Sequence, residues 1–200
     1  MKPAVFVYLI TLLTQFAQAQ SAPRRYAIEV AGLRVGTMTV TRDRQGDREL
    51  YTTISDVNVN LLLYTVKIYY KTTSEFQKGQ LLHSVVEART NRGNYSSRTD
   101  WKGDQYVIEA HQYKHDRKAT EKDRIDFTVT SMFFDEPTGR TRVYGEYFGD
   151  YFALTRTPKG TYRATYQDRE DEYVYEQGRL VKVIKKNALK NFVIKPVSEP

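Results

Sequence analysis

The stretch YTVKIYYKTTSEFQKGQLLHSVVEART, residues 64–90, alternates apolar and polar side chains for more than a dozen positions, halts at Lys78-Gly79 and resumes. Tyr64, Val66, Ile68, Tyr70, Thr72, Ser74 and Phe76 fall on one face, and Thr65, Lys67, Tyr69, Lys71, Thr73, Glu75 and Gln77 on the other. A period of two belongs to a strand and not to a helix, so one dry and one wet face are expected. From Tyr64 to Phe76, at about 3.3 Å per residue, the strand reaches roughly 40 Å, about twice the usual length. A strand so long requires a twisted or curved sheet.

The rest of the chain follows the same rule. It holds 16 Tyr and 9 Phe, with threonine and valine throughout, residues that fit a pleated and half-buried surface. Glycine turns divide it at VAGLRVG, RQGD, QKGQL, NRGN, WKGDQ, PKGTY and EQGRL. Strands are expected near 25–31, 34–43, 48–59, 63–77, 80–91, 94–102, 105–114, 142–156, 161–167, 171–177 and 180–194, the last with a break at Lys186-Asn187. Gly79 in EFQKGQL and Gly178 in VYEQGRL are expected at positive φ in hairpin turns. HDRKATEKDR (115–124) has no apolar face and reads as an exposed loop. IDFTVTSMFFDEPTG after it is the one segment suited to a helical turn, ended by Pro137-Thr138-Gly139. The expected fold is all-β: a large curved antiparallel meander forming a half-open barrel, with little or no helix.

Lys2, the apolar run AVFVYLITLLTQFA and Ala17-Gln18-Ala19 have the form of a secretory signal peptide cut after residue 19. Residues 1–19 are assigned to it, and 20–200 to a single β-rich domain in the periplasm or secreted. No later stretch is long and apolar enough for a transmembrane helix. The chain has no cysteine, which excludes thiol chemistry and leaves stability to burial and strand pairing. Its formal net charge of +7 and pI near 9.4 would suit nucleic acid in the cytosol, but export removes that partner. An exported cationic protein meets anionic lipid, acidic polysaccharide or acidic protein instead. Oligomeric state is left open.

YAIEVAGLRVGTMTVTR, MFFDEPTGRTRVYGEYFG and GTYRATYQDREDEYVYEQGRLVKV resemble, in that order, a family of exported bacterial proteins catalogued as a domain of unknown function. They are similar, more distantly, to a larger exported family with a Y-x-V-x-x-x-G-x-x-x-G opening. The likeness spans most of residues 25–195, and Phe134-Asp135-Glu136-Pro137 fills its Phe-x-Glu-Pro turn. It implies an antiparallel β architecture in the cell envelope or outside the cell, and no activity.

Candidate chemistry is sparse. His83, His111 and His115 include an x3 spacing that holds zinc on a helix, but positions four apart on one strand are about 13 Å apart, so no metal is expected. Catalytic carboxylates near Glu136 and Glu146 would suit a carbohydrate-acting enzyme if they faced each other across about 5 to 10 Å. The plainer expectation makes Asp135 and Glu136 turn residues and pairs Glu146 with a nearby arginine. No nucleophile elbow or nucleotide-binding glycine loop occurs, and no cofactor is expected. Tyr64, Tyr70, Phe76, Trp101 and Tyr106 could line a concave face for a lipid-like or glycan ligand, because no clear helix is available to cover so large a sheet. Non-enzymatic binding of an apolar or amphipathic envelope molecule, or of an envelope partner, is the function expected. A purely structural envelope role is the remaining alternative.

Overall fold

The computed structural model describes residues 21–61, 64–186 and 191–197, with the backbone alone at 60, 61 and 64. The segment assigned as signal peptide lies outside the described residues. These residues form β1 (Arg24–Val30), β2 (Leu33–Gln45), β3 (Arg48–Leu61), β4 (Tyr64–Gln77), β5 (Gln80–Thr90), β6 (Gly93–Trp101), β7 (Tyr106–Gln112) and β8 (His115–Glu121). A single 3₁₀ turn, Ser131–Phe133, precedes β9 (Arg142–Gly145), β10 (Asp150–Arg156), β11 (Tyr162–Tyr166), β12 (Arg169–Glu176), β13 (Arg179–Lys185) and β14 (Phe192–Pro196).

All fourteen strands belong to one antiparallel sheet in the order β8-β7-β6-β5-β4-β3-β2-β1-β14-β13-β12-β11-β10-β9. The sheet is the expected curved meander, a half-open barrel whose edges β8 and β9 are not joined by a backbone ladder. Bulges at Ile28/Glu29, Glu75/Phe76 and Val174/Tyr175 add local twist, which such a curve requires. In β4 the even-numbered face turns inward as the alternation demands, with Thr72, Ser74 and Phe76 buried.

Three expectations are corrected. Residues 115–121 of the supposed exposed loop are strand β8, paired with β7 from Gln112↔His115 to Tyr106↔Glu121. Its inward positions carry His115, Arg117, Ala119 and Glu121, and charge facing inward is a way to blunt a sheet edge; an edge strand therefore reads as polar on all sides. The run 142–156 is two strands, because the chain reverses through Phe148 N–H and Gly149 N–H bonds to the Gly145 carbonyl, at 3.1 and 2.9 Å. Finally, the concave face does not lack a cover.

That cover is residues 122–141, which fold inside the sheet as a plug. Ile125, Phe127, Met132, Phe133 and Phe134 are buried there. Strands on all sides hold its polar atoms: Arg24 donates to the Phe133 carbonyl at 2.7 Å, Tyr175 to the Met132 carbonyl at 2.7 Å, and Leu81 N–H to the Ile125 carbonyl at 2.8 Å. The plug also runs along the free edge of β9, with Val129 N–H bonded to the Tyr144 carbonyl and Tyr144 N–H to that of Phe127. Irregular backbone is tolerated inside a protein only when satisfied in this way. Side chains close the remaining seam between the edges: Arg117 donates to the Gly149 carbonyl at 3.1 Å and pairs with Asp150 at 3.2 Å, and His115 Nε2 lies 2.9 Å from the Phe148 carbonyl oxygen.

The antiparallel register gives the barrel two unlike ends. The β2–β3, β4–β5, β6–β7 and β12–β13 turns and the plug lie at one, the β1–β2, β3–β4, β5–β6 and β7–β8 turns at the other.

Candidate functional site

Of the five aromatic residues expected on one concave face, the four whose side chains are described do not share an open surface. Phe76 is buried edge-on against Tyr51, with ring centroids 5.5 Å apart. Trp101 is half-buried on Tyr106 at 4.8 Å, and the buried Tyr106 donates to the Leu81 carbonyl at 2.9 Å while accepting from Ile125 N–H at 3.2 Å. Tyr106 is thus a hook for the plug. Tyr70 points inward beside Tyr147, centroids 6.2 Å apart, and burial followed by the nearby Glu146 charge pushes its phenol pKa up. The backbone of Tyr64 pairs with Leu61 in the β3–β4 hairpin, and its side chain lies outside the described residues.

Phe76 does reach a cleft of about 370 Å³ at the plug end. Its floor is formed by edges of Tyr51, Phe76 and Phe127, each less than a tenth exposed. Its walls are charged. Arg44 pairs with Glu49 at 2.6 Å, and Arg140 pairs with Asp126 at 2.9 Å while its guanidinium stacks 4.2 Å over Phe127. The family-like turn supplies the rest: Asp135 pairs with Arg42 at 2.8 Å, Glu136 accepts from the Tyr162 hydroxyl at 2.9 Å, and Pro137 is buried behind them. Tyr51 donates to Glu49 at 2.6 Å, and burial, then that bond, push its pKa up to about 12.

Glu146 lies beneath this cleft and does not line it. The expectation of an arginine partner is wrong: its carboxylate is buried among uncharged groups, accepting from Thr130 N–H at 3.1 Å and more weakly from Ser74 Oγ at 3.4 Å. Ser74 in turn meets Ser84 at 3.1 Å, and Thr128 meets Ser131, which also lines the cleft, at 3.2 Å. Burial raises the Glu146 pKa above the ordinary carboxylate value, opposed by bonds from Thr128, its own backbone and Thr130. The phenols of Tyr70, Tyr144 and Tyr173 are near enough to feel its charge. A lone acid inside the aromatic run VYGEYFG was the sequence signal for this burial; nothing comparable marked Tyr51, Ser131 or Arg140.

The histidines are dispersed. His111 and His115 are on different strands and opposite faces of the sheet: His111 on β7 pairs with Asp116, 2.9 Å away, while His115 on β8 pairs with Gln112 and turns inward. His83 lies 2.5 Å from Asp100 on the outer face, where burial works against the Asp100 carboxylate but bonds from Arg98, His83 and Lys102 hold its pKa down to about 2. No group of three metal-ligating side chains gathers among the described residues. Lys78-Gly79 and Gln177-Gly178 both adopt positive φ at their two central positions, the geometry of tight hairpin turns whose twist matches the strands.

The family model described as "Domain of unknown function (DUF6134)" matches residues 26–197, and the chain belongs to that family. No curated protein and no solved structure matches it.

Proposed function

We propose that the protein is an exported, non-catalytic binding protein of the cell envelope that takes a hydroxyl-rich molecule, a glycan or the glycan head of an amphiphile, in the plug-end cleft. The observation that carries this reading is the composition of the cleft. Carboxylates and guanidinia already held in place accept from and donate to hydroxyls, while the aromatic floor offers thin ring edges and little apolar area. An acyl chain would find little to bury, whereas a sugar ring needs many polar contacts and a narrow apolar strip. The volume lies at the lower end of small-ligand sites.

Catalysis on a carbohydrate through Glu136 and Glu146 is the weaker reading. Glu136 lines the cleft, but Glu146 is buried behind Thr130 and Ser131, so the two carboxyls do not flank a common bond. Export rests on the signal-like residues 1–19. No helix among the described residues is long and apolar enough to cross a membrane.

Saturation-transfer NMR with monomeric octyl glucoside tests the cleft. Wild type is expected to transfer magnetisation to the sugar protons more strongly than to the chain, and Glu136→Gln and Arg140→Ala to weaken binding about tenfold, near 1.4 kcal/mol. Absence of transfer to wild type, or unchanged binding in both variants, overturns the reading.

A further inference from the structure

At the end opposite the plug, the β5–β6 and β7–β8 turns meet through one ring. Tyr113, in the β7–β8 turn and 39% exposed, lies edge-on to Tyr95 of β6, with ring centroids 6.1 Å apart. The Arg92 guanidinium, from the β5–β6 turn, stands 5.5 Å from the Tyr113 centroid and donates to its hydroxyl at 3.3 Å. Lys114, the next residue of the β7–β8 turn, brings its ammonium to 5.4 Å from the same centroid. Tyr95 donates to the Arg92 carbonyl at 3.0 Å, and its ring folds back over the turn because residue 93 is glycine: a β-carbon there would lie 3.1 Å from the Tyr95 hydroxyl oxygen. Two cations are thereby held around one exposed ring.

The pattern continues across the mouth of the barrel. Tyr147, in the β9–β10 turn, packs on Phe148 with centroids 4.7 Å apart, and the Arg169 guanidinium at the start of β12 lies 5.0 Å over the Phe148 ring. Burial raises the Tyr147 phenol pKa, opposed by the Arg169 charge and by a bond from the Tyr113 backbone, so Tyr147 stands between the two cationic sides. Asp150 and Asp171, inward-facing acids of the neighbouring strands, are already held by Arg117 at 3.2 Å and Lys185 at 2.6 Å. At the plug end Arg42, Arg140 and Arg142 also stack on rings, but each holds a carboxylate as well, Asp135, Asp126 and Asp123 in turn. Lys114 and Arg169 are ion-paired with no described residue. Cations gathered at rings without a counter-charge complement an anion, which charge-assisted bonds hold strongly.

We propose that this mouth is a binding site for an acidic polysaccharide, in which Tyr113 stacks on the face of a uronic acid ring while Arg92, Lys114 and Arg169 take up carboxylates. A uronate offers both halves of what the mouth presents, a face of C–H bonds for a phenol ring and an anion beside it. The rings of Tyr95 and Tyr113 are tethered through their own hydroxyls to Arg92 and so form a fixed platform for a sugar. A lipid surface asks instead for apolar side chains that descend past the headgroups. The inference is independent of the plug-end cleft, which lies at the other end and lines its walls with more carboxylates than guanidinia.

Isothermal titration calorimetry with oligogalacturonate, set against its methyl ester of the same length, tests the mouth. The ester keeps the sugar ring and removes the charge. Wild type is expected to bind the free acid, and to bind the ester about tenfold more weakly, near 1.4 kcal/mol. Affinity for the acid should fall as salt rises. Lys114→Glu and Arg169→Glu should each weaken it about tenfold and Tyr113→Leu severalfold. Lys159→Glu, the same change of charge in the β10–β11 turn at the plug end, should leave it unchanged. Circular dichroism establishes that each variant is folded. Wild type that does not bind the free acid, equal affinity for acid and ester, or a loss on Lys159→Glu equal to that on Lys114→Glu overturns the proposal. So does a wild type that ignores the free acid and binds phosphatidylglycerol vesicles in a manner lost on Lys114→Glu, since the occupant is then a lipid surface.

Discussion

The two ends of this barrel are made from the same alternating strands and differ in what fills them. At the plug end, residues 122–141 turn inward, and carbonyls of Phe133, Met132 and Ile125 are taken up by Arg24, Tyr175 and Leu81 from distant strands. At the hairpin end the longest strands continue past their neighbours, and the described apolar side chains there, such as Val59 and Ile68, are only partly buried against the core. Curvature alone therefore does not make a cavity: a sheet without helices sealed its interior with a loop.

The largest expected effect tests that contrast directly. Phe76→Ala removes a buried ring packed on Tyr51 and should cost about 3–5 kcal/mol in denaturant unfolding, the range for deleting a core aromatic. Leu33→Ala at the other end should stay within about 0.5 kcal/mol, as surface changes do. Comparable losses would mean that the hairpin end is packed in solution and that the contrast is false.

A second pair sharpens the boundary, because the hairpin end is not loose throughout. Gly149, on the seam beside β9, has φ +64°, and a β-carbon there would lie 2.6 Å from Cγ2 of the buried Ile108. Gly178, in its plug-end turn, has φ +74° with open space around it. Gly178→Ala should cost about 1 kcal/mol for the left-handed backbone alone. Gly149→Ala adds overpacking to the same strain and should cost about 2–4 kcal/mol. Equal melting-temperature losses would show that the seam between the edges yields, and that the barrel is more open than its side-chain bonds imply.

What the sequence made legible, and what it did not, divides along the same line. Period-two alternation and glycine turns report local geometry, so the long β4, its inward face and the hairpins at Gly79 and Gly178 could be read without coordinates. β8 could not, because an edge strand has few apolar neighbours to demand alternation and its inward His115, Arg117 and Glu121 resemble a solvated loop. The plug was visible as an apolar break with a helical turn, but whether such a segment covers a sheet or lies on its surface depends on contacts more than forty residues away, such as Tyr175 to Met132. Phe76 reached the candidate site while Trp101 and Tyr106 became plug supports, since alternation says which way a side chain faces and not what meets it there. The arginine expected beside Glu146 failed for a related reason: most acids lie at the surface, and one inward position on an aromatic hairpin reversed that prior.

Glu146 supplies the smallest effect and the finest test of the sealed interior. Because burial raises its pKa, the folded chain holds this proton more tightly than the unfolded chain does. Its contribution is therefore fully present below the ordinary carboxylate value and is lost as pH rises through the raised folded value, the reverse of a salt-bridged acid. Asp100 provides that reverse case on the outer face, its support declining only as pH falls toward about 2. Glu146→Gln keeps an acceptor for Thr130 N–H and removes the titration, so thermal melts from pH 4 to 8 should show the variant losing less stability than wild type as pH rises. The gap should be widest at pH 8, where the wild-type charge has to be held among Ser74, Thr128 and Tyr70. Parallel pH profiles for the two proteins would mean that solvent reaches Glu146 and that the plug does not seal the barrel, which would put the acid back within reach of the cleft above it.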